Sequence, residues 1–273
     1  MQLHRFALLL LGLLWSTSTP AALSQRERAI EITAELHATG QRYEGRHVTL
    51  WVAAGALDEH VARDFLAKLD RGVEVIRAGL GDAVDEVQAP RRPEVYLSPR
   101  VGISHVRGDV PTMVYMPPKR VLDGTAPYLH ELVHAVASWS WRHSEWLGEG
   151  LANHVAQAVE ERSGGYHASV VLPDGLARLD AHLASDEGRE MLALVGPRGR
   201  RSNYPPALAR RFRVMMADRP RYAPPFYALS WSFVDYLVSR MGVEGLHAAA
   251  TSANGPDLEA MKPAWLAATT PAR

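Results

Sequence analysis

His130-Glu131-Leu132-Val133-His134 sets two imidazoles four positions apart, with a carboxylate directly after the first. On an α-helix, positions i and i+4 share one face, so both rings reach a common point. Fifteen positions past His134, the run Trp146-Leu147-Gly148-Glu149-Gly150-Leu151-Ala152 offers a further carboxylate, Glu149. Two imidazoles and one carboxylate suit a zinc ion and leave it one open position, where water loses a proton near neutral pH. Glu131 stands beside the first imidazole, where a general base would take that proton. The chemistry expected of these residues is hydrolysis by an activated water.

The third ligand has rivals. His143 and Glu145 fall in the stretch between the two motifs and compete with Glu149 for the position. His154 lies five residues past Glu149 and points away from it on a helix. Asn153 is four residues past Glu149, so it shares that face and is placed to hold a ligating imidazole through the ring's other nitrogen. An exposed helix asparagine is the equal alternative.

The elements that must position these groups follow from local pattern. Pro127 is tolerated in a first helical turn and starts the helix that carries His130 and His134. Leu129, Leu132, Val133, Val136 and Ala137 surround that helix with apolar side chains and predict its burial. Trp146–Val159 reads as a second helix, in which Gly148, Gly150 and Ala152 permit close backbone approach. A connecting loop over 139–145 is expected to reverse the chain between them.

Upstream, the pattern predicts a helix over 25–38 and a strand over 48–53. A helix over 58–80 ends at Gly81, and a short strand covers 94–97. Segments 101–106 and 112–116 read as a hairpin about Gly108 and Asp109. Downstream, helices are expected over 175–184, 186–194, 206–217, 226–241 and 255–268, with loops over 198–206 and 217–225. The fold class is therefore α+β, a small N-terminal sheet with the metal-motif helix followed by a mainly helical half. Residues 25–273 form one domain, with an α/β half over 25–140 and a helical half over 141–273.

Taken together, these motifs resemble the gluzincins, metallopeptidases in which H-E-x-x-H is followed on the next helix by a glutamate ligand. Leu147-Gly148-Glu149-Gly150-Leu151-Ala152 is similar to the E-G-x-A form of that second motif. The metzincin pattern fails, because Ala137 and Ser140 stand where it needs glycine and histidine. The resemblance implies a zincin-like fold with the sheet over the active-site helix, one zinc ion on His130, His134 and Glu149, and Glu131 as catalytic base. It implies a peptide or protein substrate, paired to an edge strand for which 112–116 or 101–106 is the candidate. It also implies an oxyanion-stabilising tyrosine or histidine from the helical half. Tyr227, at the start of an expected helix, is the first choice, with Tyr222 and Tyr204 behind it. His105 and His167 read as structural. The competing function is a catalytically silent zinc protein that binds a peptide or envelope partner.

Composition narrows the setting. The chain has 273 residues, 47% of them hydrophobic, and a formal net charge of zero. That permits a sizeable core and argues against nucleic acid as a partner. Residues 1–24 have a signal-peptide layout: His4 and Arg5, an apolar run from Phe6 to Trp15, then small residues. The run is too short for a comfortable membrane span, and no comparable run follows. Cysteine is absent, so thiolates neither ligate metal nor attack substrate. Export to a bacterial periplasm or beyond is the expected localisation, with no stable membrane span after signal cleavage.

Overall fold

The computed structural model describes residues 24–84, 92–107, 110, 112–163, 179–199 and 203–269. The expected signal segment up to Leu23, the Gly108–Asp109 turn, His167 and the first residues of the expected helix over 175–184 lie outside them.

Five short strands build the sheet: β1 (Gln41–Glu44), β2 (Thr49–Val52), β3 (Glu94–Leu97), β4 (His105–Val106) and β5 (Met113–Met116), in the order β1-β2-β3-β5-β4. β2, β3 and β5 run parallel, and β1 and β4 pair antiparallel at the two edges. Alternation assigns the faces. Leu50, Val52, Val95, Leu97, Val114 and Met116 enter the main core. On the opposite face Arg42, Trp51, Tyr96, Tyr115 and His105 occupy one register row across all the strands. The Tyr96, Tyr115 and His105 rings stack with centroids 5.1 Å apart at each step.

Helix α1 (Gln25–Thr39) covers this aromatic face through Ala29, Ile32 and Leu36, with the Thr33 and Tyr115 hydroxyls 2.7 Å apart. Ser24 caps it, and the Glu27 side chain returns the bond to the Ser24 backbone. Helix α2 (Glu59–Leu80) lies on the core face, burying Phe65, Leu66, Leu69, Val73 and Ile76, and it stops at Gly81 with φ +54°.

After β5 come α3 (Pro118–Leu122), α4 (Tyr128–Val136), α5 (Ser138–His143) and α6 (Glu145–Ser163). The helical half adds α7 (Leu179–Ala184), α8 (Asp186–Leu192), α9 (Pro206–Ala217), α10 (Arg219–Thr251) and α11 (Lys262–Thr269). α4 packs between α2, the β4–β5 edge of the sheet and α6, while α6 packs along α10. The chain is thus α+β with a small mixed sheet. Among the described residues no helix is long and apolar enough to cross a membrane.

Several expectations need correction. Segment 139–145 is not a loop: α5 occupies most of it, because Ala137 leaves helical geometry and the chain restarts at once. Trp139 anchors that turn by donating from Nε1 to the Ala83 carbonyl at 2.7 Å. Segment 217–225 is helical from Arg219 onward, although it contains Pro220, Pro224 and Pro225. Pro220 sits in the first turn, where no N–H is needed, and burial of Tyr222, Phe226 and Leu229 outweighs the bonds lost at the later prolines. The same helix runs past 241 to Thr251, with a kink at Gly242 where φ is +72°. Segment 255–268 divides into a 3-10 turn at Leu258–Met261 and α11. β1 and α3 were not anticipated. Finally, 112–116 is no edge, since β5 has β3 on one side and β4 on the other; of 101–106 only the two residues of β4 are strand.

Candidate metal centre

α4 is apolar nearly all round and fully buried, so its polar groups need partners inside the protein. His130, Glu131 and His134 are 4%, 6% and 6% exposed. α6 reaches them because Gly148 and Gly150 carry no side chain where it meets its neighbours. A Cβ on Gly148 would lie 2.5 Å from Trp141 Cε3, and one on Gly150 would lie 2.4 Å from the Ser230 carbonyl oxygen. The backbone of α6 is therefore pressed against α5 on one side and α10 on the other. Glu149, between these glycines, is directed at α4.

His130 Nε2 lies 3.1 Å from His134 Nε2 and 3.1 Å from Glu149 Oε2, and His134 Nε2 lies 3.6 Å from the same oxygen. These edges bracket the value of about 3.3 Å required when three ligands hold a tetrahedral ion at about 2.0–2.1 Å. Two facing imidazole nitrogens share at most one proton. Glu149 Oε2 is buried and finds no hydrogen bond of acceptable geometry among the described residues. One cation among the three atoms satisfies all of them. His130, His134 and Glu149 are also the one group of potential ligands that converges in this way among the described residues.

The ring of His130 is oriented from behind. Its Nδ1–H donates to Asn153 Oδ1 at 3.0 Å, and Asn153 is buried. A proton on Nδ1 leaves the Nε2 lone pair facing Glu149 and His134. His134 has a different support: its ring packs edge-on against Trp141 at 5.0 Å, while its buried Nδ1 has no hydrogen-bond partner among the described residues.

Charge in the cluster is uneven. Burial pushes the Glu131 carboxyl up to about 7; His130 opposes the rise, Glu149 adds to it, and Arg120 and Arg219 pull it down. Burial also raises Glu149, but the two imidazoles beside it more than reverse this and hold it well below the usual carboxylate range. Burial depresses His134, and the His130 charge depresses it further. His130 goes the other way: burial lowers it, and its contact with Glu149 wins. A buried carboxylate held ionised beside one imidazole that keeps a proton can exchange that proton for a metal cation.

The rival third ligands are engaged elsewhere. His143 Nδ1 pairs with the Ser144 hydroxyl at 3.0 Å. Glu145 accepts from the Tyr204 hydroxyl at 2.9 Å, and His154 Nδ1 lies 3.1 Å from Asp235 Oδ1. Tyr204 is thereby committed to Glu145, and Tyr222 is buried with Arg221 over its ring at 5.2 Å. Tyr227 is the candidate tyrosine on the stretch of α10 that packs against α6 beside Glu149, one turn before Ser230. Burial raises its hydroxyl pKa first, and the charges of Glu149 and Glu131 add to the rise. It lies two turns into α10 rather than at the helix start, because the helix begins at Arg219. His105 stacks on Tyr115 and its Nδ1 lies 2.8 Å from the Ile103 carbonyl.

Arg219 escaped the sequence reading. It donates from Nη2 to the Tyr227 hydroxyl at 2.6 Å. An Arg-Pro pair in a proline-rich stretch carries a turn signal, and no spacing rule links it to a motif some ninety residues earlier.

No protein-family model, curated protein or solved structure matches this chain.

Proposed function

We propose that the chain is an exported zinc-dependent peptidase of gluzincin-like, zincin-type architecture. The observation that carries this reading is the convergence of His130 Nε2, His134 Nε2 and Glu149 Oε2 with tetrahedral spacing, next to a buried carboxyl that is not a ligand. The donor set of two nitrogens and one oxygen suits zinc. Zinc held there would supply Lewis acidity toward a water molecule and a substrate carbonyl.

The remaining work falls to the chain itself. Glu131, with its carboxyl raised by burial, accepts a proton from the attacking water and delivers it to the departing amine as the C–N bond breaks. With a cation held by His130, His134 and Glu149, the Glu131 carboxyl would fall from this raised value toward its base form. Tyr227 donates its hydroxyl proton toward the carbonyl oxygen as negative charge develops there. Asn153 holds the tautomer of His130 throughout. A small mixed sheet packed on α4, with the second ligand helix crossing it, supports the zincin-type reading. The leader pattern of the first 24 residues supports export.

The test is metal analysis of purified protein together with cleavage of a peptide library. Wild type carries one zinc per chain and cuts peptides, while Glu131→Gln keeps the zinc and loses cleavage. Stoichiometric zinc with no cleavage by wild type would favour the silent, partner-binding reading. Absence of bound zinc in the presence of excess metal would remove both.

A further inference from the structure

Arg219 Nη2 and Tyr227 Oη form the shortest polar contact between α10 side chains near the metal cluster, at 2.6 Å. Both side chains are half-buried. The two residues are eight positions apart on α10, a rise of about 12 Å that a long, extended side chain is needed to bridge. Arg219 otherwise makes a loose contact to Met216 Sδ at 3.9 Å, and among the described residues it forms no ion pair with a carboxylate. Its charge also reaches the Glu131 carboxyl, which it pulls down, but the polar group it touches is the Tyr227 hydroxyl.

The hydrogen-bond inventory then decides how that hydroxyl is used. A phenol oxygen has one proton to donate and two lone pairs to accept with. Arg219 occupies one lone pair, and the phenol proton has no acceptor among the described residues. A charged donor on the oxygen polarises the O–H bond and strengthens it as a donor in turn. Tyr227 stands one turn before Ser230, whose carbonyl packs against Gly150 beside Glu149, and its hydroxyl lies in the field of Glu149 and Glu131.

We infer that Arg219 is a positioning residue, holding the Tyr227 hydroxyl so that its proton is presented to negative charge developing on the substrate oxygen. This rests on the hydrolytic reading above and assigns a role that the ligand motif does not contain. Lysine is a poor replacement, because its single ammonium is shorter and lacks the planar fork.

Steady-state kinetics on a cleaved peptide, with zinc-loaded protein, test the coupling. Tyr227→Phe lowers kcat by about 100-fold with KM within about twofold. Arg219→Gln lowers kcat by about tenfold when Tyr227 is present and by less than about twofold in the Tyr227→Phe background, because residues acting as a unit are not additive. Arg219→Lys falls between wild type and Arg219→Gln, and it carries the same comparison if Arg219→Gln does not fold. Equal losses in the two backgrounds overturn the inference.

A second readout needs no turnover. In protein labelled with 13C at tyrosine Cζ, the Tyr227 resonance is identified by its loss in Tyr227→Phe. Removing the cation in Arg219→Gln shifts that resonance, because the oxygen it reports loses a charged donor. An unmoved resonance overturns the inference. If zinc-loaded wild type cleaves no peptide, the hydrolytic reading fails and this resonance alone decides the Arg219 contact.

Discussion

Asn153 Oδ1 receives the Nδ1–H of His130 at 3.0 Å, one helical turn beyond the Glu149 that faces the same ring's other nitrogen. A single face of α6 therefore supplies both a candidate ligand and the group that orients a ligand. Asn153→Ala should weaken zinc binding by about 10–100-fold, the usual cost of losing such a partner. Competition with a chelator of known affinity measures it. Unchanged affinity would show that the ring is held by packing alone.

Zinc should also stabilise the fold, because the three donor atoms converge in the native arrangement and not in the open chain. At a free concentration about 1,000 times Kd the gain is about 4 kcal/mol. Chelation should lower the melting temperature of wild type and leave that of Glu149→Gln almost unchanged. Scanning calorimetry with and without chelator checks both halves. A Glu149→Gln variant that still responds like wild type would mean another group serves as third ligand.

Gly150→Ala should cost about 2 kcal/mol, as overpacking of a tight interface does. The added Cβ would sit 2.4 Å from the Ser230 carbonyl oxygen and 2.6 Å from Val234 Cγ2, so α6 must retreat from α10. Retreat also displaces Glu149, and zinc affinity should fall along with stability. Urea denaturation and chelator competition on one variant reveal whether the two losses occur together. Gly79, a glycine of α2 whose Cβ position is open, serves as the control.

Acid should destabilise the protein through His143. Burial pushes this imidazole down to about 4 from an ordinary 6.5, and Arg198 adds to the fall. The unfolded chain binds the proton that the folded chain refuses. The stability is therefore complete above about pH 6.5 and is lost as pH drops toward 4, by about 3 kcal/mol in all. His143→Gln should flatten that part of the stability profile while costing some stability at pH 7. An identical slope between pH 6.5 and 4 in the variant would place the acid sensitivity in other groups.

Much of the candidate site could be read from local spacing. Two histidines four apart share a helix face whatever surrounds them, and Asn153 stands four past Glu149 by the same rule. The long amphipathic stretch of α2 and the β-branched and aromatic runs of β2 and β3 also declare themselves, since each element's period is written in its own residues. The choice among Glu149, His143 and Glu145 is of another kind. It turns on whether Ser144, Tyr204 or the α4 imidazoles stand nearest each side chain, and those neighbours are distant in sequence.

The same division explains the errors. Prolines at 220, 224 and 225 and the short segment between the motifs carry genuine turn signals, which burial against the core overrides. Strand order is a property of the whole sheet: the parallel pairing of β3 with β5 is what makes 112–116 internal and leaves β4 at the edge. What the residues by themselves determined was which groups share a helix face and where the long periodic elements run, because both follow from short-range backbone geometry. What only the tertiary structure decided was the meeting of α4, α6 and α10: the close approach at Gly148 and Gly150, the third ligand position and the pairing of Arg219 with Tyr227. Those depend on packing between segments remote in the chain, where no periodicity reaches.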